Sequence, residues 1–176
     1  MSDRREAGRR VQDLQKQLRS ERSRSQEAEQ RAAREDPTAS ERSFLLGVRL
    51  AYARDFGEGD RLAYPLGRMR VGRSFLGTLP TLDRVPLEKL LEVCAQVGSG
   101  RAHEIPGRSV HPFRTSEQGG APYRVRARDD AKAWRCSLVD QTAGAPRLHW
   151  WSVPGPDGAT VEFASVNHHE DFSLPE

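Results

Sequence analysis

The sequence predicts an α+β fold: N-terminal helices, then a mostly antiparallel twisted sheet with helices on one face. Three observations carry this. Helical spacing of apolar residues is confined to the first hundred positions. Two-residue alternation dominates from Tyr123 onward. Turn signals separate four alternating runs into two hairpins, as in folds where helices and antiparallel strands are segregated along the chain.

Residues 1–36 form a charged arm. They hold ten Lys and Arg, eight Asp and Glu, no aromatic residue, and only Val11, Leu14 and Leu18 as large aliphatics. Spaced by three and four, these three make one helical stripe. Continued at heptad spacing it reads Glu21, Ser25, Ala28, Ala32, so the apolar seam is sustained only at its start. A charged helical or disordered arm is expected, with weak homo-oligomerisation through Val11–Leu18 as its coiled-coil contribution.

Residues 37–65 are read as a linker helix and turn. In the run 40–56, Phe44, Leu45, Val48 and Tyr52 share a face, Ser40 is placed to cap the start and Gly57 to end the helix. A glycine-rich turn covers 57–60. Residues 66–176 make the α+β domain. A short strand is expected at 68–71 and a broken helix at 73–82, interrupted by Gly77 and Pro80. Over 86–97, Pro86 suits a first turn, and Leu87, Leu90, Leu91 and Cys94 line one side before Gly98-Ser99-Gly100 stops the helix.

The sheet follows. In 123–128, Tyr123, Val125 and Ala127 alternate with Arg124, Arg126 and Arg128; in 132–139, Trp134, Cys136 and Leu138 alternate with Arg135 and Ser137. The Asp129-Asp130 pair turns between them. A second hairpin joins 147–153 to 160–167 through a turn containing Asp157-Gly158. One consistent register puts Leu148, Trp150, Val161 and Phe163 on the core face and His149, Trp151, Glu162 and His168 opposite.

Composition narrows the function. The chain carries a formal charge of +3, and only Lys16, Lys89 and Lys132 among its 28 basic residues are lysines. Mean hydropathy is −0.74, and no apolar run approaches the ~18–20 residues of a membrane span. With a charged N-terminus lacking a secretory pattern, a cytoplasmic protein without a membrane partner is expected. Cys94 and Cys136 fall on apolar faces and read as core residues. His168-His169-Glu170-Asp171 has metal-ligand chemistry, but adjacent strand residues point apart, so no metal or other cofactor is expected.

What stands out is the arginine row. Its plain meaning is a solvated outer face. Yet like charges side by side repel, and a phosphodiester backbone would favour keeping them together. Arg124, Arg128, His149 and Trp151 are accordingly the expected nucleic-acid-binding residues, Trp151 as a base-stacking surface if exposed.

The order RSFLGTLPTLDRVPLEKLLEVCAQVGSGRAHEI, VHPFR, PYRVRARDDAKAWRCSL and VEFASVNHHEDF resembles the RelE/ParE toxin superfamily over residues 66–171. The resemblance implies a concave basic sheet. In one branch such a sheet cuts mRNA on the ribosome without a metal; in the other it inhibits DNA gyrase. Carried over by position, Arg124 and Arg126 lie on the basic hairpin strand, Arg135 stabilises the phosphate, and His168 or His169 is the general acid or base. The lysines of some members and the family's tyrosine have no counterpart here. The resemblance thus implies an mRNA endonuclease (a toxin of a toxin–antitoxin pair) with the ribosome-bound message and a cognate antitoxin as partners. The alternative is a non-enzymatic binding module.

Overall fold

A computed structural model describes residues 14–24, 37–81, 85–115, 121–139, 145–167 and 174–175. The chain divides into two compact units, Met1–Ser40 and Glu41–Glu176. In the first, helix α1 covers residues 14–24, and every one of its described side chains is exposed, including Leu14 and Leu18. Glu21, the next position of the expected heptad stripe, is exposed too; Val11, Ser25, Ala28 and Ala32 lie outside the described residues.

The second unit is α+β, with most of the sheet following the helices in the chain and the helices packing on one of its faces. Helix α2 (Pro37–Asp55) starts earlier than expected. Pro37, with its fixed φ and no N–H to lose, suits the first turn better than Ser40 suits a cap, so Ser40 sits inside the helix. Phe44, Val48 and Ala51 are buried. Residues 37–65 are therefore more than a linker: they supply part of the core of the second unit. The expected turn at 57–60 is instead the start of a short helix, α3 (Glu58–Ala63), and Gly57 precedes it rather than ending α2.

Strand β1 (Met69–Val71) and the short helix α4 (Phe75–Thr78), continued by a 3-10 turn at Leu79–Thr81, follow the expected broken pattern. Helix α5 (Leu87–Gly98) buries Leu90, Val93, Cys94 and Val97, while Leu87 at its start stays exposed. Gly100, at φ 79°, takes the left-handed conformation that turns the chain after the helix.

The sheet contains β2 (His111–Pro112), β3 (Val125–Arg126), β4 (Ala131–Ser137), β5 (Arg147–Val153) and β6 (Thr160–Asn167). The order is β1-β6-β5-β4-β2, with β3 also paired to β4. Only β1 with β6 is parallel among these pairings. Both expected hairpins form, and Gly158 at φ 103° closes the β5–β6 turn.

A bulge decides which face each β6 residue meets. His149 pairs with Ser165 but Trp150 pairs with Phe163, which leaves Ala164 as the extra residue. Phe163 and Val166 can then both pack under the helices, where Trp150, Leu148, Cys136 and Leu138 join Phe44 and Phe75. Edge-to-face contacts of Phe44 with Phe75 and with Phe163, at 5.1 and 6.1 Å between centroids, tie α2 and α4 to the sheet.

In β3 the alternation holds, with Arg126 on the face away from the helices beside Trp151, but the expected exposure reverses. Tyr123 and Val125 are exposed, whereas Arg126 is fully buried. Arg126 is buried there because it reaches two carboxylates, Glu162 and Asp129, while the side of β3 that carries Val125 is left uncovered.

Candidate functional site

The second sheet face is the one expected to be open and basic. It is covered instead. Phe113, Trp151, Ala133, Ala164 and Leu174 form a second apolar cluster there. The Trp151 indole N–H donates to the Pro175 carbonyl at 2.9 Å, so the ring is packed and its polar atom satisfied by backbone. Trp151 is fully buried and presents no surface for base stacking.

Arg126 is committed to structure. Its Nη1 and Nη2 donate to the two Glu162 oxygens at 2.7 and 3.0 Å, and its Nε and Nη2 donate to Asp129 at 2.9 and 2.8 Å. Its guanidinium carbon stands 4.9 Å from the Trp151 ring centroid. Arg70 adds a second basic partner by donating to Glu162 at 2.7 Å. Burial pushes the Glu162 carboxyl up, but the hydrogen bonds from Arg126 and Arg70 outweigh it and leave the group below the usual carboxylate range. The Arg126 hydrogen bonds likewise hold Asp129 low. Arg128 is exposed at the rim, 3.9 Å from Glu162. Arg124 is half-buried and carries the backbone link, its N–H donating to Phe113 O at 2.8 Å and its carbonyl accepting from Ala133.

Farther along the same face a different group assembles. Arg135 pairs across the ladders with His111 on one side and His149 on the other, and His149 pairs with Ser165. The Arg135 Nε–H donates to His111 Nε2 at 2.7 Å. His111 Nδ1 lies 2.7 Å from the Ser109 carbonyl. A carbonyl only accepts, so Nδ1 carries the proton and Nε2 presents its lone pair to Arg135. Ser109 holds this position at φ 46°, a left-handed conformation costly for a residue with a Cβ. His149 is fully buried, its Nδ1 3.2 Å from Ser165 Oγ and its ring 4.9 Å from that of Phe113. Arg135 and His111 are only half-buried.

Of the expected site residues, the fold thus brings Arg135 and His149 together on one patch and withdraws Arg126 and Trp151 into packing. His168 and His169 lie outside the described residues. Sequence reasoning assigned no role to His111, Ser165 or Phe113. His111 sits in the VHPFR segment, but its match to Arg135 depends on a pairing 24 residues long, and the Ser165 match depends on the bulge.

Among the described residues, no three His, Cys, Asp or Glu side chains are placed to hold a metal ion. Nor is any helix long and apolar enough to cross a membrane. A cavity of about 470 Å³ beside α2 and α5 is lined by paired charges: Arg54 with Asp55 and Glu88, and Lys89 with Glu92. No protein-family model, curated protein or solved structure matches the chain.

Proposed function

We propose that the chain is a RelE-like, metal-independent RNA endonuclease acting on translated mRNA, with Arg135 and His111 as its working pair. The observation that supports this most is the 2.7 Å contact between a half-buried guanidinium and an imidazole whose tautomer is set by the carbonyl behind it. Cleavage of this kind has the 2′-hydroxyl attack the adjacent phosphorus while the bond to the 5′-oxygen breaks, giving a cyclic phosphate. Arg135 turns from His111 to the phosphate and stabilises the added negative charge. His111 Nε2, relieved of that donor, takes the proton of the 2′-hydroxyl. His168 or His169, by the superfamily resemblance, returns a proton to the leaving oxygen. A ribosome-bound message and an antitoxin that blocks the patch are the partners in this reading.

Purified protein incubated with RNA in EDTA tests it. Fragments ending in cyclic phosphate are expected, and they should be strongly reduced by Arg135→Ala or His111→Ala.

A second reading, a non-enzymatic binding module, is favoured by the burial of Arg126, His149 and Trp151, which leaves little of the basic row accessible. Growth arrest on expression with intact transcripts would select it.

A further inference from the structure

Three buried arginines lie on or beside the sheet, and they are compensated very differently. Arg126 meets two carboxylates. Arg108, 6% exposed, donates to Gln96 Oε1 at 2.6 Å, to the carbonyls of Ser137 and Leu138, and to Glu92. Among the described residues the side chain of Arg147, 8% exposed, makes one hydrogen bond: its Nη1 donates to Ser137 Oγ. Its Nε–H is buried with no acceptor among the described residues. Among the described residues no carboxylate pairs with it. Burial accordingly pushes its pKa below the ordinary arginine range, with Cys136 the one group opposing that.

An uncompensated buried guanidinium is expensive to keep. Arginine stays charged even so, because no protein environment readily deprotonates it. A buried donor without an acceptor is rare in a native interior and calls for a partner. The missing partner has a definite chemistry: it is anionic, accepts at least the Nε–H, and fits beside a hydroxyl.

We propose that Arg147 and Ser137 form a subsite for a phosphate group. Nε–H and one Nη of a guanidinium form a fork suited to two oxygens of a phosphate. The Ser137 hydroxyl accepts from Nη1, so its own proton is available to a third oxygen. The subsite is continuous with the patch already described. Ser137 is two residues along β4 from Arg135, and Arg147 is two along β5 from His149, all on one face. Diagonal neighbours across such a ladder stand about 7–8 Å apart, so a strand held at Arg135 could place an adjacent phosphate at Arg147. That last step rests on the RNA reading; the phosphate subsite itself does not, since free phosphate offers the same oxygens.

The test uses the full chain with inorganic phosphate and, separately, a short 2′-deoxy RNA analogue that cannot be cut. Phosphate should raise the melting temperature by several degrees over chloride at matched ionic strength, as a ligand specific to the folded state does. Arg147→Met, which removes the charge but keeps apolar bulk, should melt in chloride no lower than the parent and lose the phosphate response. Arg147→Lys, which keeps charge without the fork, should bind phosphate at least tenfold more weakly by calorimetry. It decides the matter if the methionine variant does not fold. No phosphate effect beyond chloride, or a full response in Arg147→Met or Arg147→Lys, overturns the subsite. If phosphate stabilises the parent but the analogue does not bind, the subsite stands for free phosphate and the RNA reading fails.

Discussion

Glu162 on β6 and Arg126 on β3 are 36 residues apart, and Nη1 of one lies 2.7 Å from Oε1 of the other. They meet across β5 and β4, over Trp151. That single pair turns a strand expected to offer three arginines to a ligand into a strand that holds its central arginine inside.

Removing one side of this pair strands the other. Arg126→Met leaves Glu162 and Asp129 without their main donor, and Arg70 compensates only in part. The expected loss is about 3 kcal/mol of unfolding free energy, as for other broken buried pairs, measured by urea titration. A loss below about 0.5 kcal/mol would mean the network contributes little.

The same network sets the acid response. Glu162 and Asp129 titrate below their ordinary range when folded. Their contribution is complete above the unfolded carboxylate values near 4 and is lost as pH falls through the lower folded values. Stability should therefore fall steadily below about pH 5, and Arg126→Met should flatten that slope. Urea midpoints from pH 7 to pH 3 give the answer; parallel slopes for parent and variant would place the acid sensitivity elsewhere.

Cleavage, if it runs through Arg135 and His111, should drop about 10²–10³-fold in Arg135→Ala and by a similar factor in His111→Ala. Trp151→Phe should stay within a few-fold of the parent, because the buried indole faces Pro175 rather than a base. Time courses on a defined RNA with EDTA present measure all three.

Both cysteines should be inert in the native state. Cys94 and Cys136 are fully buried; burial raises the first well above its ordinary value and the second to about 12. A thiol reagent at pH 8 is expected to label neither until denaturant is added. Stoichiometric labelling of the folded chain would show that the core opens readily.

Local pattern made much of this architecture legible. Leu90, Cys94 and their neighbours repeat at helical spacing, Trp134, Cys136 and Leu138 alternate, and Asp157-Gly158 marks its turn; each needs only adjacent residues to be read. Alternation put Arg126 on the right face, but its burial could not be read that way, because it depends on Glu162, 36 residues away. Nor could the covered face: Leu174 and Pro175 reach Trp151 from far along the chain. Ser40 misled because an N-cap preference is weaker evidence than a proline three residues earlier. His111 went unassigned because its partner, Arg135, is chosen by the ladder and not by spacing.

The pairing of β1 with β6 has a consequence for how the chain is made. Arg70 and Glu162, matched in that ladder, are separated by 92 residues. The β4–β5 and β5–β6 pairs join consecutive strands and can close as they emerge, but β1 must wait for the last strand. Until then Phe44 and Phe75 have no Phe163 to pack on. A nascent chain halted before β6 would therefore hold finished helices with an uncovered apolar side, the state in which a chaperone would meet it.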